Sequence, residues 1–285
     1  MDSLSIIPAI DLMKPALIPF VITAGLLFIL GRLSFDQRKH RLPDLAVLLG
    51  VLLIFFLFDR QSILHLFDPE RPMDWIPALS LAAFIARTLS GRLRPWVVES
   101  LTIGVSSFIL LFPLLHRAVG KNLLLFPAVL ALWLLAHHAA RREGGTGIGR
   151  AALLPLFLSS ATLGALSPLS GSLLLGQLSG GLAAVWLAMI LIRPGRLPLS
   201  GVEPGIALGG LLLIAREYVE IPPVVIGALY GGILLGLLSD RLLAHRTRLP
   251  AGVRLFLPSL LSLVFIGVAV METLRLLQST GSAGY

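Results

Sequence analysis

The amino-acid sequence predicts an all-α fold, a polytopic transmembrane bundle of about ten helices arranged as two inverted five-helix repeats. Of the 285 residues, 56% are hydrophobic and only 13% are charged, whereas a soluble domain carries about 25% charged residues. The apolar residues form continuous runs and not the alternating pattern of barrel strands, so helices are the expected spanning element. Finally, several of these runs recur in the second half of the chain.

Short polar connectors separate the apolar runs, most of which approach the roughly 20 residues that a helix needs to cross a bilayer. The eighth run is shorter. Its first residues, "GVEPG" at 201–205, include Pro204, which suits the first turn of a helix, so this helix is expected to begin near Glu203. The ten predicted spans are residues 15–33, 42–58, 73–90, 95–115, 121–140, 150–168, 171–192, 203–219, 221–243 and 252–277.

The basic residues predict how the spans are oriented. With ten spans, most of the 23 Lys and Arg residues fall on connectors of one side, which the positive-inside rule assigns to the cytoplasm. Both termini are then expected on the periplasmic face of a bacterial inner membrane. Basic loops facing anionic lipid account for the net charge of +8. Nucleic-acid binding is not expected, because no aromatic or folded module accompanies the basic connectors.

The repeat is clearest in two phrases, "ALSLAAFIAR" at 78–87 and "ALGGLLLIAR" at 207–216. In the same order along the chain, "PWVVESLTIG" at 95–104 matches "PPVVIGALYG" at 222–231. These matches divide the chain into a first repeat, 1–145, and a second repeat, 146–285. Because each repeat has an odd number of spans, the second repeat crosses the membrane in the opposite sense to the first, as in many secondary transporters.

The predicted five-plus-five arrangement resembles the general class of inverted-repeat secondary transporters. More locally, "EIPPVVIGALYGGILLGL" at 220–237 resembles a helix of monovalent-cation/proton antiporters. The resemblance implies alternating-access transport with a binding site between the repeats, lined by spans three, four, eight and nine. The membrane-embedded aspartate pair of that antiporter family has no counterpart in the predicted spans.

Ionisable side chains are costly inside a membrane and therefore mark candidate binding positions. The middle thirds of the spans carry none. Glu99, one turn into span four, is expected to be the most buried carboxylate, either as a ligand or paired with Arg92 or Arg94 at the rim. The candidate substrate-binding residues are Glu99, Ser106, Ser107, Gln177, Glu203, Arg87 and Arg216.

Several of these candidates have a purely structural alternative. Glu203 either binds a ligand or complements the dipole at a helix start. Arg87 and Arg216 either attract an anionic substrate or extend toward lipid headgroups. The glycines of "GQLSGG" at 176–181 and "YGGILLG" at 230–236 either permit a broken helix at a site or allow close helix packing.

The preferred function is secondary transport of a small solute, with an organic anion favoured because arginines outnumber acids at the rims and no buried carboxylate is expected for coupling. One alternative is a non-catalytic membrane subunit or assembly factor; another is a flippase or enzyme for lipid-linked substrates. No catalytic motif and no cofactor site is predicted. A metal site at the adjacent His137 and His138 is not expected either, because neighbouring side chains on a helix point about 100° apart. The expected partners are the lipid bilayer and a small-molecule solute, and a homo-oligomer or a membrane-complex partner stays open.

Overall fold

The computed structural model describes residues 18, 21–22, 24–25, 42–89, 95–117, 150–192, 202–244 and 251–281. All regular structure in these ranges is helical. Predicted span five, most of span one, both termini, His137 and His138 lie outside the described residues. The helices are α1 (Leu42–Phe58), α2 (Arg60–Leu64), α3 (Trp75–Leu89), α4 (Pro95–Arg117), α5 (Arg150–Leu169), α6 (Leu173–Ile192), α7 (Val202–Glu217), α8 (Pro223–Ala244) and α9 (Ala251–Gly281).

Every helix except the short α2 coincides with a predicted span, and α1 has the predicted bounds. The start of α7 is also confirmed, with Val202 as its first residue and Pro204 in its first turn. Within the described ranges, two helical stretches are long and apolar enough to cross a membrane, Leu173–Leu191 in α6 and Ser259–Leu276 in α9. The all-helical fold is therefore established for the described residues, and the count of ten spans stays a prediction.

The second half of the chain is built from two helix hairpins, α5 with α6 and α8 with α9, and α5 also packs on α8 and α9. Small residues allow the close approach. A Cβ atom added at Gly176 would lie 2.7 Å from Pro168 Cγ, and one added at Gly236 would lie 2.7 Å from Pro155 Cβ. Because α6 and α8 run unbroken through their glycines, these residues serve helix packing and do not break a helix.

The described helices of the first half attach to the second half through α6 and α7. Helix α1 packs on α6, while α3 and α4 both pack on α7. The two phrases that recur in the sequence therefore lie on helices that contact each other. At this contact, a Cβ atom added at Gly210 of α7 would lie 3.0 Å from Ile76 of α3 and 3.5 Å from Leu110 of α4.

One apolar core runs through both halves and includes Ile54, Ile76, Leu110, Trp186 and Leu212. Trp186 is fully buried, and its Nε1 donates a hydrogen bond of 3.2 Å to Ser160 Oγ, which joins α6 to α5. Such a bond satisfies the only polar atom of a buried indole.

Candidate functional site

A stripe of polar side chains follows the buried face of α4. Glu99, Ser106 and Ser107 are all buried, whereas Leu101 and Val105 on the other face are exposed. Separations of seven and eight residues place side chains on one side of a helix. Ser107 Oγ donates to the carbonyl of Ile103, 2.8 Å away. The structure thus brings three of the predicted site residues onto one helix face, which we call the α4 stripe.

The helix that carries the α4 stripe packs on α3 and α7. Leu110, one turn beyond Ser106, shares with Ile76 the space beside Gly210. Ser80 lies one turn after Ile76 along α3, and Ser106 lies one turn before Leu110 along α4. Ser80 is fully buried, and its hydroxyl has no hydrogen-bond partner among the residues that the structure describes. We call this region the α3–α4–α7 junction.

The other predicted site residues lie away from the α4 stripe. Gln177 is partly buried on α6, between glycines that pack on neighbouring helices. Arg216 lies in the last turn of α7 and is partly buried. Glu203 and Arg87 occupy the first and last turns of α7 and α3, and their side chains lie outside the described part of the structure.

The expectation that Glu99 is the most buried carboxylate is wrong. Its side chain is 5% exposed, whereas Asp44 and Asp74 are each 1% exposed. The expectation that no buried carboxylate is present is wrong for the same reason. Asp44 and Asp74 lie at the starts of apolar runs, and the surrounding chain covers both side chains.

The connector between α1 and α3 carries a compact network of Asp59, Ser62, Arg71 and Asp74, which we call the acidic clasp. Arg71 Nη2 lies 2.8 Å from Asp74 Oδ1 and 3.0 Å from Asp59 Oδ1. Ser62 Oγ lies 2.6 Å from Asp59 Oδ2 and 2.7 Å from Asp74 Oδ1. A hydroxyl has one hydrogen and donates to one carboxylate at a time. The guanidinium therefore supplies most of the compensation for two buried negative charges.

Ionisation of the clasp depends on competing effects. Burial favours the neutral form of Asp74, but hydrogen bonds from the Arg71 side chain, the Ser62 hydroxyl and the Arg71 backbone N–H outweigh burial and hold the pKa of Asp74 below its usual value. The hydrogen bond to Asp74 correspondingly raises the pKa of Arg71, with burial acting in the opposite direction. The two groups thus remain a charged pair at neutral pH.

Local backbone structure positions the clasp. At Asp59 the chain leaves helical geometry, with φ −135° and ψ 68°, although its N–H still donates to the carbonyl of Phe55, 2.8 Å away. This bend separates α1 from α2 and turns Ser62 inward. Sequence reasoning missed the clasp. The signal available was the concentration of acids at 59, 68, 70 and 74 in a chain that is otherwise poor in charge.

Comparison with models of known protein families found none that matches this chain, and comparison with curated proteins also found no match.

Proposed function

We propose that this protein is a membrane-embedded secondary transporter that moves a small solute by alternating access between two inverted five-helix repeats, residues 1–145 and 146–285. The observation that carries the proposal is the α3–α4–α7 junction. There, α3 and α4 of the first half pack on α7 of the second half, and α3 and α4 carry the buried polar residues Ser80 and Glu99. Transporter sites form where repeats meet.

Exposed apolar side chains support the membrane location. On α4, Leu101, Val105, Phe108 and Phe112 form an exposed stripe at helical spacing. On α9, exposed apolar residues cover most of the helix surface; they are Leu260, Leu261, Leu263, Val264, Val268, Met271, Leu274 and Leu276. Apolar surfaces of this extent are rare on soluble monomers and match a hydrocarbon environment.

The helix contacts support the inverted repeat. The sequence alignment pairs span two with span seven and span three with span eight, which correspond to α1 with α6 and α3 with α7. Both pairs are in contact. In an assembly with a twofold axis, an element that touches its own symmetry mate lies at the axis, so the proposed repeat would place α1, α3, α6 and α7 beside its axis.

Two observations bear on the charge of the transported solute, and they point in different directions. The arginines at the rims still favour an anion, but the argument from missing buried carboxylates no longer holds, because Asp44, Asp59, Asp74 and Glu99 are buried. The proposal is therefore a small polar or charged solute, with organic anions tested first and organic cations beside them.

Flux into proteoliposomes tests the proposal. Purified protein is reconstituted and presented with radiolabelled organic anions and cations, with and without a proton gradient. We expect uptake of at least one class, which Glu99→Gln and Arg216→Ala abolish. The matched control is Glu272→Gln, at a partly exposed position on α9 where a weak pair with Arg275 is lost. Uptake that both site variants leave unchanged would remove the site assignment, and absence of uptake by the folded wild type would contradict transport.

A membrane-subunit role is the second candidate, and the exposed stripe of α4 favours it. Phe108 and Phe112 lie with ring centroids 5.7 Å apart on that surface and offer a face for a partner helix. Purification from native membranes in mild detergent separates the candidates. A stoichiometric partner that is lost on Phe108→Ser supports the subunit role, whereas a lone monomer or homodimer supports the transporter.

A further inference from the structure

The segment that follows α1 exposes two large apolar side chains. Leu64, at the end of α2, is 74% exposed, and Phe67, in the turn after it, is 90% exposed. Their neighbours point inward, since Ser62 is buried and Ile63 packs against the core. We call residues 60–68 the α2 segment. Its two faces are therefore distinct, with one against the protein and the other presenting Leu64 and Phe67 outward.

The outward position of these side chains is held by the rest of the segment. The acidic clasp ties Ser62 to Asp59 and Asp74. Backbone hydrogen bonds then fold the chain through the turn, with His65 N–H donating to Gln61 O at 2.9 Å and Asp68 N–H donating to His65 O at 3.1 Å. Leu64 and Phe67 are thus presented by an ordered stretch with its inner face fixed.

The α2 segment lies at one end of the helix bundle, between the last residue of α1 and the first residue of α3, Trp75. Its apolar surface continues that of α1, because Phe56 and Leu57 are also exposed. The guanidinium of Arg60 lies 5.7 Å from the ring of Phe56. This surface therefore has an arginine next to exposed apolar side chains, and it begins on a spanning helix. Such a surface suits a phospholipid, whose phosphate would lie near Arg60 and whose acyl chains would contact the aromatic and aliphatic side chains.

We propose that Leu64 and Phe67 form an interfacial anchor that inserts between phospholipid acyl chains just below the headgroups of the outer leaflet. This inference rests on the membrane location in the proposed function. The neighbouring Asp68 and Glu70 are exposed and acidic, so the anchor acts through apolar insertion and needs no anionic lipid. Insertion would hold the connector between α1 and α3 at the level of the membrane surface.

Site-directed spin labelling measures the depth of each side chain directly, and the absence of cysteine in the chain removes any background. Single-cysteine variants Phe67→Cys and Leu64→Cys are labelled in phosphatidylcholine liposomes, and collision rates with oxygen and with a water-soluble nickel complex are compared. Asp68→Cys is the aqueous control, and Val264→Cys, at an exposed position on α9, is the deep-membrane control. We expect oxygen to exceed nickel at positions 64 and 67, at a shallower depth than at 264, with nickel dominant at 68.

Three other outcomes would overturn the anchor, and only the last of them would also overturn the membrane location. If Val264→Cys is lipid-facing and Phe67→Cys is as accessible to nickel as Asp68→Cys, the anchor is wrong and the membrane location stands. A label at position 67 that is immobilised and shielded from both reagents would show that a protein partner or a second copy covers the segment, which also overturns the anchor. If Val264→Cys is itself exposed to nickel, the membrane location fails and the anchor fails with it.

Discussion

Arg71 and Asp74 form the closest charged contact of the acidic clasp, with 2.8 Å between Nη2 and Oδ1, although Arg71 is partly exposed and Asp74 is buried. The pair lies just before α3, so it links the connector to a helix of the α3–α4–α7 junction. Protonation of Asp74 would leave Arg71 without its closest partner. The clasp therefore couples the stability of this end of the fold to pH.

Thermal stability should fall in acid through Asp74. Its pKa is lowered in the folded protein, and the unfolded value is about 3.9. A group whose pKa is lowered by folding stabilises the protein above its unfolded pKa, and this contribution is lost as pH falls through the folded pKa. We expect the difference in Tm between wild type and Asp74→Asn to be largest above about pH 5 and to shrink below about pH 4.

Intrinsic fluorescence of the protein in lipid nanodiscs, followed during heating at a series of pH values, measures this difference. Glu70→Asn, which removes an exposed acid from the same connector, is the control and should keep the wild-type profile. A constant difference between wild type and Asp74→Asn across the acid range would contradict the charged clasp.

Removal of the Arg71 side chain should destabilise the fold more than removal of the Arg60 side chain from the same connector. Arg71→Ala leaves Asp59 and Asp74 buried without a counter-charge, a change that costs about 3–5 kcal/mol for a fully buried pair. Because Arg71 is partly exposed, we expect a loss of about 2 kcal/mol. Arg60→Ala removes a contact with Phe56, worth about 0.5–1 kcal/mol. Equal shifts in Tm for the two variants would contradict the role assigned to Arg71.

How much of the fold could be predicted depended on the range of the interactions involved. The bounds of α1 and the start of α7 at Val202 could be predicted, because a continuous apolar run and Pro204 are local signals in the sequence. Helix α2 could not be predicted, since "RQSIL" in a polar connector has no apolar periodicity. The pairing of Asp59 with Arg71 could not be predicted either, because it is a tertiary contact. The α4 stripe was partly predictable, because helical spacing alone aligns Glu99 with Ser106 and Ser107. The burial of Ser80 was not, because it depends on how α3 packs.

Gly236 should tolerate no side chain, because it lies where α8 crosses α5. A Cβ atom there would lie 2.7 Å from both Pro155 Cβ and Ser262 Oγ. Overpacking of this kind costs about 1–3 kcal/mol, which outweighs the gain of up to about 1 kcal/mol from alanine in a helix. Gly227→Ala on the same helix is the control, since no atom of the described part of the chain lies within 4 Å of its Cβ position.

We therefore expect Gly236→Ala to lower Tm and Gly227→Ala to leave it unchanged or raise it, as measured on protein in the same detergent. A rise in Tm for both variants would mean that α8 and α5 are farther apart than described. A fall for both would assign the effect to the helix itself and not to its contact with Pro155.

Glu220 should be a site where glycine stabilises the protein. Its φ is +57°, a left-handed conformation that costs an L-residue about 1–2 kcal/mol. Glycine adopts this conformation freely but adds about 0.4–1 kcal/mol of entropy to the unfolded chain. We expect Glu220→Gly to stabilise the fold by about 0.5–1 kcal/mol and to raise Tm. Glu272→Gly, in the interior of α9, makes the same chemical change in a right-handed helix and should cost about 1 kcal/mol.

The Glu220→Gly variant also tests whether the backbone strain at Glu220 contributes to transport, because strained backbone conformations are found most often at functional positions. The N–H of Ile221, the next residue, donates to the carbonyl of Ala215 at 3.0 Å and closes the end of α7. If Glu220→Gly raises Tm and keeps the wild-type rate of uptake, the conformation serves only to end α7. If Tm rises while uptake falls, the strain contributes to movement of α7 during the cycle. A lower Tm would contradict the left-handed geometry itself.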